Sequence, residues 1–200
     1  WEMGLLDAGD WQAQWITPDL YEDTRTAEPC PMLRQVVELE GDVVSARLYV
    51  TSLGLYDARI NGQAVSDWAF TPGWTTYRHR LQYQTYDVTG LLQPGANALA
   101  VTLGDGWYRG YLGFQGKRNF YGQQLALLLQ LHVTYADGSE AVFGSDADWR
   151  AATGPLRASD IYNGEHYDAR LERPGWDSAS YDDGDWSGVR VVEAPAARLV

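Results

Sequence analysis

The residues best suited to chemistry lie in one glycine-rich run, residues 103–114. Asp105, Trp107, Tyr108 and Arg109 stand there among four glycines. A sugar ring stacks its C–H face on an aromatic side chain, and its hydroxyls form hydrogen bonds with charged groups, so this composition is typical of a carbohydrate-binding loop. Buried Trp and Tyr that close one end of a β-barrel would give the same composition. A phosphate-binding loop is excluded by the glycine spacing.

A second cluster, residues 160–170, contains the carboxylates Glu165 and Asp168. Two such groups can hydrolyse a glycosidic bond, one as acid and the other as nucleophile or base. Catalytic carboxylates usually come from separate strands, however, and Arg170 is close enough in sequence to neutralise one of these. A structural ion pair is therefore the favoured interpretation.

The charge balance excludes one class of partner. The chain has 15 Lys and Arg against 27 Asp and Glu, for a net charge of −12. Nucleic-acid binding needs clustered cations, so it is not expected. No run approaches the roughly 18 apolar residues of a membrane span, and the N-terminal residues do not have the pattern of a signal peptide, so no membrane partner is expected.

Metal and disulfide chemistry have little support in the sequence. Cys30 is the single cysteine, which excludes an intramolecular disulfide and a thiolate zinc site. His79, His132 and His166 do not have the i+3 or i+4 spacing of helical metal motifs. We therefore expect no metal site and no cofactor.

The strand signals come in short runs between turn residues. Residues 33–40 and 43–51 are rich in β-branched side chains and are predicted to pair with each other. Residues 55–60 alternate and end in Asn61-Gly62, which predicts a type I′ hairpin with residues 63–66.

The most hydrophobic run, residues 125–135, has the composition of a helix or a strand. The turn signal Asp137-Gly138 follows it and residues 140–143 return, so a central hairpin is predicted. Residues 86–95 predict one short helical turn that Asp87 caps. The pattern indicates an all-β protein, an antiparallel β-sandwich with at most one or two short helical turns.

The residue composition and the strand patterns divide the chain into three parts. Residues 1–32 are an irregular segment that could contact a preceding domain, 33–190 form one β-sandwich accessory domain, and 191–200 form a tail or linker. We see no internal linker between residues 33 and 190, so a single domain is expected there.

Five motifs in order carry a resemblance to a known family. They lie at residues 53–62, 72–77, 86–89, 104–110 and 164–170. Together they resemble the N-terminal β-sandwich domain of bacterial α-L-rhamnosidases of the glycoside hydrolase family 78 type, over roughly residues 11–186. The resemblance implies a jelly-roll sandwich of the galactose-binding kind.

The resemblance also implies a role. In such enzymes an (α/α)₆ barrel that follows this region hydrolyses terminal α-L-rhamnosides with inversion, using a general acid and a general base. This chain alone is then a scaffold or interface domain rather than an enzyme, with no catalytic residue of its own. Its partners would be the catalytic barrel and other domains of the parent enzyme. Cytoplasmic and secreted locations both stay open.

An alternative function is a carbohydrate-binding module for L-rhamnose or plant glycans. The candidate binding residues combine aromatic faces with charged groups: Asp105, Trp107, Tyr108, Arg109, Trp74, Tyr121, Glu165 and Asp168. A third hypothesis, an independent glycosidase that uses Glu165 and Asp168, is less favoured.

A related sandwich module in these enzymes binds rhamnose through calcium, with an Asp-Asn pair shortly before the strand that ends in Asn-Gly. Residues 51–54 of this chain read Thr-Ser-Leu-Gly instead. Calcium prefers several oxygen ligands, often carboxylates, so calcium is disfavoured here. Asp57, Asp67 or Asp105 could still supply ligands from another loop.

Overall fold

The structure is a computed structural model that describes residues 4–5, 7–113 and 116–200. It contains fifteen strands within these ranges: β1 (Ile16–Pro18), β2 (Pro31–Leu39), β3 (Val43–Leu53), β4 (Leu55–Ile60), β5 (Gln63–Ala64), β6 (Arg80–Leu81), β7 (Gln84–Asp87), β8 (Gly95–Gly104), β9 (Ala126–Tyr135), β10 (Glu140–Gly144), β11 (Arg150–Thr153), β12 (Leu156–Asp160), β13 (Gly164–Tyr167), β14 (Ser187–Val191) and β15 (Arg198–Leu199).

Helical structure in the described ranges is confined to four short turns. One α-helical turn, α1, spans Gly106–Arg109, and three 3₁₀ turns span Ala8–Asp10, Thr89–Leu91 and Ala169–Leu171. The class is all-β as predicted, with more helical turns than the one or two expected. None of the described helices is long and apolar enough to cross a membrane.

The main strands form two packed layers. One layer has the order β5-β4-β8-β2-β11-β14, and the other has the order β1-β9-β3-β7 with β10 also beside β9. The pairings within these layers are antiparallel. Both layers contribute to one core, for example through Leu33, Val101 and Leu129, which confirms the predicted sandwich.

Strand β14 belongs to both layers. Its first residues, Ser187 and Gly188, pair with β11. Its last residues, Val189 to Val191, pair with β1 in the other layer. The two layers are therefore joined along one continuous hydrogen-bonded path.

Two predicted hairpins are confirmed. Asn61 and Gly62 have φ angles of 51° and 81°, as a type I′ turn requires, and β4 pairs with β5 across them. Strand β9 pairs with β10 in the second hairpin. The helical turn predicted at 86–95 is the 3₁₀ turn Thr89–Leu91, and the Asp87 carboxylate accepts a hydrogen bond of 3.1 Å from the Thr89 N–H.

The predicted pairing of residues 33–40 with 43–51 is wrong. Strand β2 pairs with β8 and β11, whereas β3 pairs with β9 and β7. Gly41 and Asp42 carry the chain from one layer to the other instead of closing a hairpin. The β-branched pattern identified both strands correctly, but it does not identify their partners.

Strand β9 is buried on both faces, which accounts for its unbroken apolar sequence. Leu127, Leu129 and Leu131 point into the sandwich core. On the outer face, Ala126 and Leu128 belong to a second hydrophobic cluster, which we call the outer cluster. Its buried members are Trp15, Tyr77, Leu81, Tyr108, Ala126 and Leu128, and half-buried Trp11, Trp107, Tyr121 and Leu199 pack against them.

Candidate functional site

The glycine-rich run begins where β8 ends and turns at once into helix α1. Gly106 has a φ of 53°, and a Cβ at this position would lie 2.6 Å from Cγ of Leu55. A side chain is therefore excluded by the backbone and by space. This tight turn buries Tyr108 and Arg109 and leaves Trp107 half-buried at the surface.

Trp107 belongs to an open group of rings that we call the aromatic surface: Phe70, Trp74, Trp107 and Tyr121. The indoles of Trp74 and Trp107 stack with an interplanar angle of 5° and a centroid distance of 5.7 Å. The Phe70 ring lies 5.9 Å from Trp107, and the Trp74 indole N–H donates to the Tyr121 hydroxyl at 3.2 Å. Trp74 is 53% exposed and Phe70 is 61% exposed.

Phe70 is held in an unusual backbone conformation. Its φ is 61°, in the left-handed region that non-glycine residues rarely adopt. The next residue, Thr71, is fixed to strand β4: its hydroxyl donates to the Tyr56 carbonyl, and its carbonyl accepts from the Tyr56 N–H, both at 2.9 Å. The loop therefore keeps an exposed phenyl ring against Trp107 in spite of the local cost.

Buried tyrosines form the base of the aromatic surface. The Tyr77 ring lies 4.8 Å from Tyr121 and 5.2 Å from Tyr108. Burial raises the pKa of Tyr77 and that of Tyr108, so both phenols stay neutral. The aromatic surface is thus the exposed edge of the outer cluster.

The charged residues of the run, Asp105 and Arg109, are buried in an ion network. Nε of Arg109 donates to Oδ1 of Asp105 at 2.6 Å, and Nη2 of Arg118 donates to Oδ2 of Asp105 at 2.8 Å. Nη1 of Arg109 also donates to Glu22 at 2.9 Å. Burial opposes the charged form of Arg109, but Asp105 and Glu22 outweigh it and raise its pKa.

Several buried polar atoms in and around this network have no hydrogen-bond partner among the described residues. These buried atoms are Nη2 of Arg109, Nε and Nη1 of Arg118, and the side-chain oxygen of Asn119. The Arg118 guanidinium also lies 5.2 Å from the centre of the Tyr111 ring. Asp105 and Arg109 are 3% and 1% exposed, so their ion pair stabilises the glycine-rich run from within the protein and offers no free charged group to a ligand.

The second predicted cluster meets the first at Asp160. This buried carboxylate accepts hydrogen bonds from the backbone N–H groups of Tyr111, Tyr162 and Asn163, at 2.7 to 3.0 Å. Asp160 therefore joins the end of the glycine-rich run to the turn between β12 and β13. No local sequence pattern singles out Asp160 as the residue that joins the two clusters, and the same is true of Glu22, Arg118 and Phe70 in their contacts.

Among the described residues, no hydrogen bond or ion pair joins Glu165 or Asp168 to the aromatic surface. Glu165 lies exposed on β13. Asp168 accepts two hydrogen bonds from the Arg170 guanidinium, at 2.8 Å from Nε and 2.6 Å from Nη2, and a third of 3.1 Å from the Arg170 backbone N–H. Hydrogen bonding to Arg170 lowers the pKa of Asp168, so the carboxylate is ionised at neutral pH. The arrangement is the expected structural ion pair.

The eight candidate residues thus separate into groups. Trp74, Trp107 and Tyr121 meet in the aromatic surface, with Tyr108 beneath it. Asp105 and Arg109 form the ion network, and Glu165 and Asp168 lie on and beside strand β13. Phe114, at the end of the predicted run, lies outside the described residues.

The hydroxyls at the position considered for calcium are already engaged. Thr51 donates to the Gln82 carbonyl at 2.6 Å, and Ser52 donates to the Gly54 carbonyl at 3.2 Å. Asp57 pairs with Arg59, and Asp105 pairs with Arg109 and Arg118. Over the part of the chain that the structure describes, no group of three or more His, Cys, Asp or Glu could hold a metal ion.

Comparison with known proteins identifies the family. Residues 41–200 match the family described as the α-L-rhamnosidase N-terminal domain, and the chain belongs to this family. An α-L-rhamnosidase of Streptomyces avermitilis is 50% identical over 168 residues, which are 84% of this chain and 16% of that protein. An α-L-rhamnosidase of Formosa agariphila is 43% identical over 198 residues, which are 95% of this chain and 21% of that protein.

Solved structures agree with this assignment. The native α-L-rhamnosidase of Aspergillus terreus superposes with a TM-score of 0.96 at 45% identity, over 99% of this chain and 23% of that one. A lectin of Pleurotus ostreatus shares the fold, with a TM-score of 0.60 at 16% identity over 90% of this chain and 41% of that one. The chain spans between 16 and 23% of the curated relatives it matches, which are larger enzymes.

Proposed function

We propose that this chain is a non-catalytic β-sandwich domain of an α-L-rhamnosidase that hydrolyses terminal α-L-rhamnosides. It serves as a scaffold and interface for a catalytic (α/α)₆ barrel elsewhere in the parent polypeptide. The aligned relatives are α-L-rhamnosidases at least four times longer than the matched region, which supports a parent enzyme of that class.

The observation that carries this proposal is the outer cluster. A sandwich needs one core between its sheets, yet this chain has a second apolar layer outside β9 that ends in the exposed rings of Phe70 and Trp74. Large exposed apolar patches mark surfaces that another body covers. The other domains of the parent enzyme would supply that cover.

The test compares the 200-residue chain with the parent enzyme on an aryl α-L-rhamnoside. We expect hydrolysis by the parent and none by the chain at equal molar concentration. Cleavage by the chain that disappears in Glu165→Gln would refute the non-catalytic role and support the independent glycosidase. An inactive parent enzyme would refute the assignment of the substrate.

A second candidate function is carbohydrate binding at the aromatic surface. The observation that favours it is the parallel stack of Trp74 and Trp107, because adjacent aromatic faces are suited to contact the C–H faces of sugars. In this case Trp74, Trp107 and Tyr121 would touch the sugar, while Asp105 and Arg109 would hold the loop that carries Trp107.

Calorimetric titration of the chain with L-rhamnose, with and without calcium, tests this second function. Saturable heat that Trp74→Ala abolishes would support a binding module. The matched control is Trp68→Ala, since Trp68 is also exposed, at 68%, but packs against Tyr86. No heat at millimolar sugar would exclude the module.

A further inference from the structure

The outer cluster opens at a second place, away from the aromatic surface. A groove of about 540 Å³ lies between the N-terminal segment and the residues around β15. We call it the β9 groove, because Leu128 of β9 forms part of its floor. Most of its lining residues are apolar, among them Trp11, Ala13, Trp15, Leu128, Pro195 and Leu199, and the charged residues Asp7 and Arg198 also line it. Trp11, Trp15, Leu128 and Leu199 belong to the outer cluster, so the groove and the aromatic surface are two openings of the same apolar layer.

Two arginines lie side by side at the edge of this groove. Arg198 lines the groove and is in register with Arg80 in the short parallel pair of β15 and β6. Residues in register project from the same face of a sheet, so the two side chains are neighbours. Leu81 and Leu199 occupy the opposite face, toward the outer cluster.

No carboxylate among the described residues pairs with either arginine. Both side chains are exposed, and within the described ranges no Asp or Glu oxygen lies within 4.0 Å of Arg80 or Arg198. Like charges placed opposite each other destabilise a sheet. The chain has 27 acidic residues against 15 basic ones, so a shortage of acids does not account for the unpaired arginines.

We propose that the β9 groove and the Arg80–Arg198 pair form the docking surface for another domain of the parent polypeptide. That domain inserts an apolar side chain between Trp11 and Leu199 and presents a carboxylate to the two arginines. The inference rests on the proposed function, which makes this chain one part of a longer enzyme.

Two observations favour another domain of the same polypeptide as the occupant: the charge of the surface and the length of the related proteins. Asp7 lines the groove too, but no ion pair among the described residues joins it to Arg80 or Arg198. A mainly apolar groove beside two cations that no described carboxylate neutralises is complementary to an apolar side chain flanked by a carboxylate. The relatives extend far beyond the matched region, so a covering body of sufficient size is present in proteins of this family. Because such a body is covalently attached, its effective concentration is high and a small contact suffices.

Arginine footprinting with phenylglyoxal tests the proposal, with peptide mass spectrometry as the readout. We expect Arg80 and Arg198 to react about tenfold more slowly in the parent enzyme than in the 200-residue chain, because the docked domain covers them. Arg25 and Arg170 are reference sites, since their side chains are 86% and 88% exposed. Equal rates in the two proteins would overturn the proposal. Protection that grows with the concentration of the isolated chain would also overturn it, because it would identify a second copy as the occupant.

Charge reversal provides a second test with opposite expected signs. Arg198→Glu removes the repulsion from Arg80, so the melting temperature of the isolated chain should hold or rise. In the parent enzyme the same change places a carboxylate against the partner's carboxylate, and the melting temperature should fall. Arg170→Glu is the matched control and should act equally in both proteins. Equal effects of Arg198→Glu in both would overturn the proposal.

Hydrolysis of an aryl rhamnoside by the wild-type parent is measured alongside. Inactive parent enzyme with protected arginines would refute the proposed function and leave the docking surface standing. An active parent enzyme with unprotected arginines would support the proposed function and refute the docking surface.

Discussion

The backbone N–H of Tyr111 donates a hydrogen bond of 2.7 Å to Oδ2 of Asp160, 49 residues further along the chain. This contact joins the end of the glycine-rich run to the β12–β13 hairpin. The same carboxylate accepts two more N–H groups, from Tyr162 and Asn163. One buried side chain therefore stabilises two loops that lie in separate clusters along the sequence.

Asp160→Ala should destabilise the chain by about 3 kcal/mol, because it leaves three backbone donors without their acceptor. The free energy of unfolding in urea measures this. Asp182→Ala is the control, since Asp182 is exposed and accepts from a single N–H, that of Gly184. A loss for Asp160→Ala no larger than that of the control would contradict the role assigned to Asp160.

Asp105→Ala should cost about 3 to 5 kcal/mol, because it leaves the buried guanidinium groups of Arg109 and Arg118 without their shared carboxylate. The comparison is Asp168→Ala, which breaks the exposed pair with Arg170 and should cost much less stability than Asp105→Ala, because solvent screens this pair. Urea unfolding of both variants gives the difference. Similar losses in the two would show that the buried network is not a major source of stability.

Trp107→Ala and Tyr108→Ala should lower the free energy of unfolding by different amounts, although the two residues are adjacent in sequence. Trp107 is half-buried and stacked on Trp74, so its removal should cost about 1 to 2 kcal/mol. Tyr108 is buried beneath the surface, so its removal should cost about 3 to 5 kcal/mol. Equilibrium unfolding of the two variants tests this order. The reverse order would mean that Trp107 belongs to the core.

His132 should make the chain less stable as the pH falls below neutrality. Burial lowers the pKa of His132, and its Nε2 lies 2.7 Å from Nε2 of Gln130, which also donates to the Asp10 carbonyl. A neutral imidazole accepts from this amide, whereas an imidazolium would oppose one donor to another.

The unfolded chain therefore binds a proton more readily than the folded chain does. This contribution of His132 is full above the unfolded pKa of about 6.5 and is lost as the pH falls below it. The free energy of unfolding should be measured between about pH 5 and pH 8, on both sides of that pKa. As the pH falls over this range, the wild type should lose more stability than His132→Gln does. Parallel curves would contradict this role.

Cys30 should be inert in the folded chain. It is buried, and desolvation raises the pKa of its thiol to about 12, with the charge of Asp105 acting in the same direction. The thiolate is the reactive form, so a thiol reagent at pH 8 should modify the native chain far more slowly than the urea-unfolded chain. Rapid labelling of the native chain would show that this part of the sandwich opens readily.

Local signals in the sequence were sufficient where the structure depends on neighbouring residues. Asn61-Gly62 predicted its hairpin correctly because the turn conformation is set by those two residues. The pairing of β2 was predicted incorrectly because its partners, β8 and β11, lie far along the chain. Alternation of side chains indicates that a strand has a buried face, but it does not identify the neighbouring strand.

In the candidate site too, the sequence indicated features that depend on neighbouring residues and missed those that depend on distant contacts. The composition of the run around Trp107 pointed to the aromatic surface, and Trp74 and Tyr121 do meet it. Glu22 was missed because it reaches Arg109 across 87 residues, and no local pattern marks such a contact. Phe70 was missed because its exposed position depends on a left-handed backbone conformation that its sequence does not indicate.

Strand β14 has a consequence for the fidelity of folding. A slip of one residue in this strand would turn its side chains to the wrong side against β11 and against β1 at the same time. A register shift against β11 therefore also shifts the pairing with β1, and the loss of buried contacts in both layers makes the shift unfavourable. Because one strand pairs with both layers, its register determines the register of both sheets as the sandwich forms.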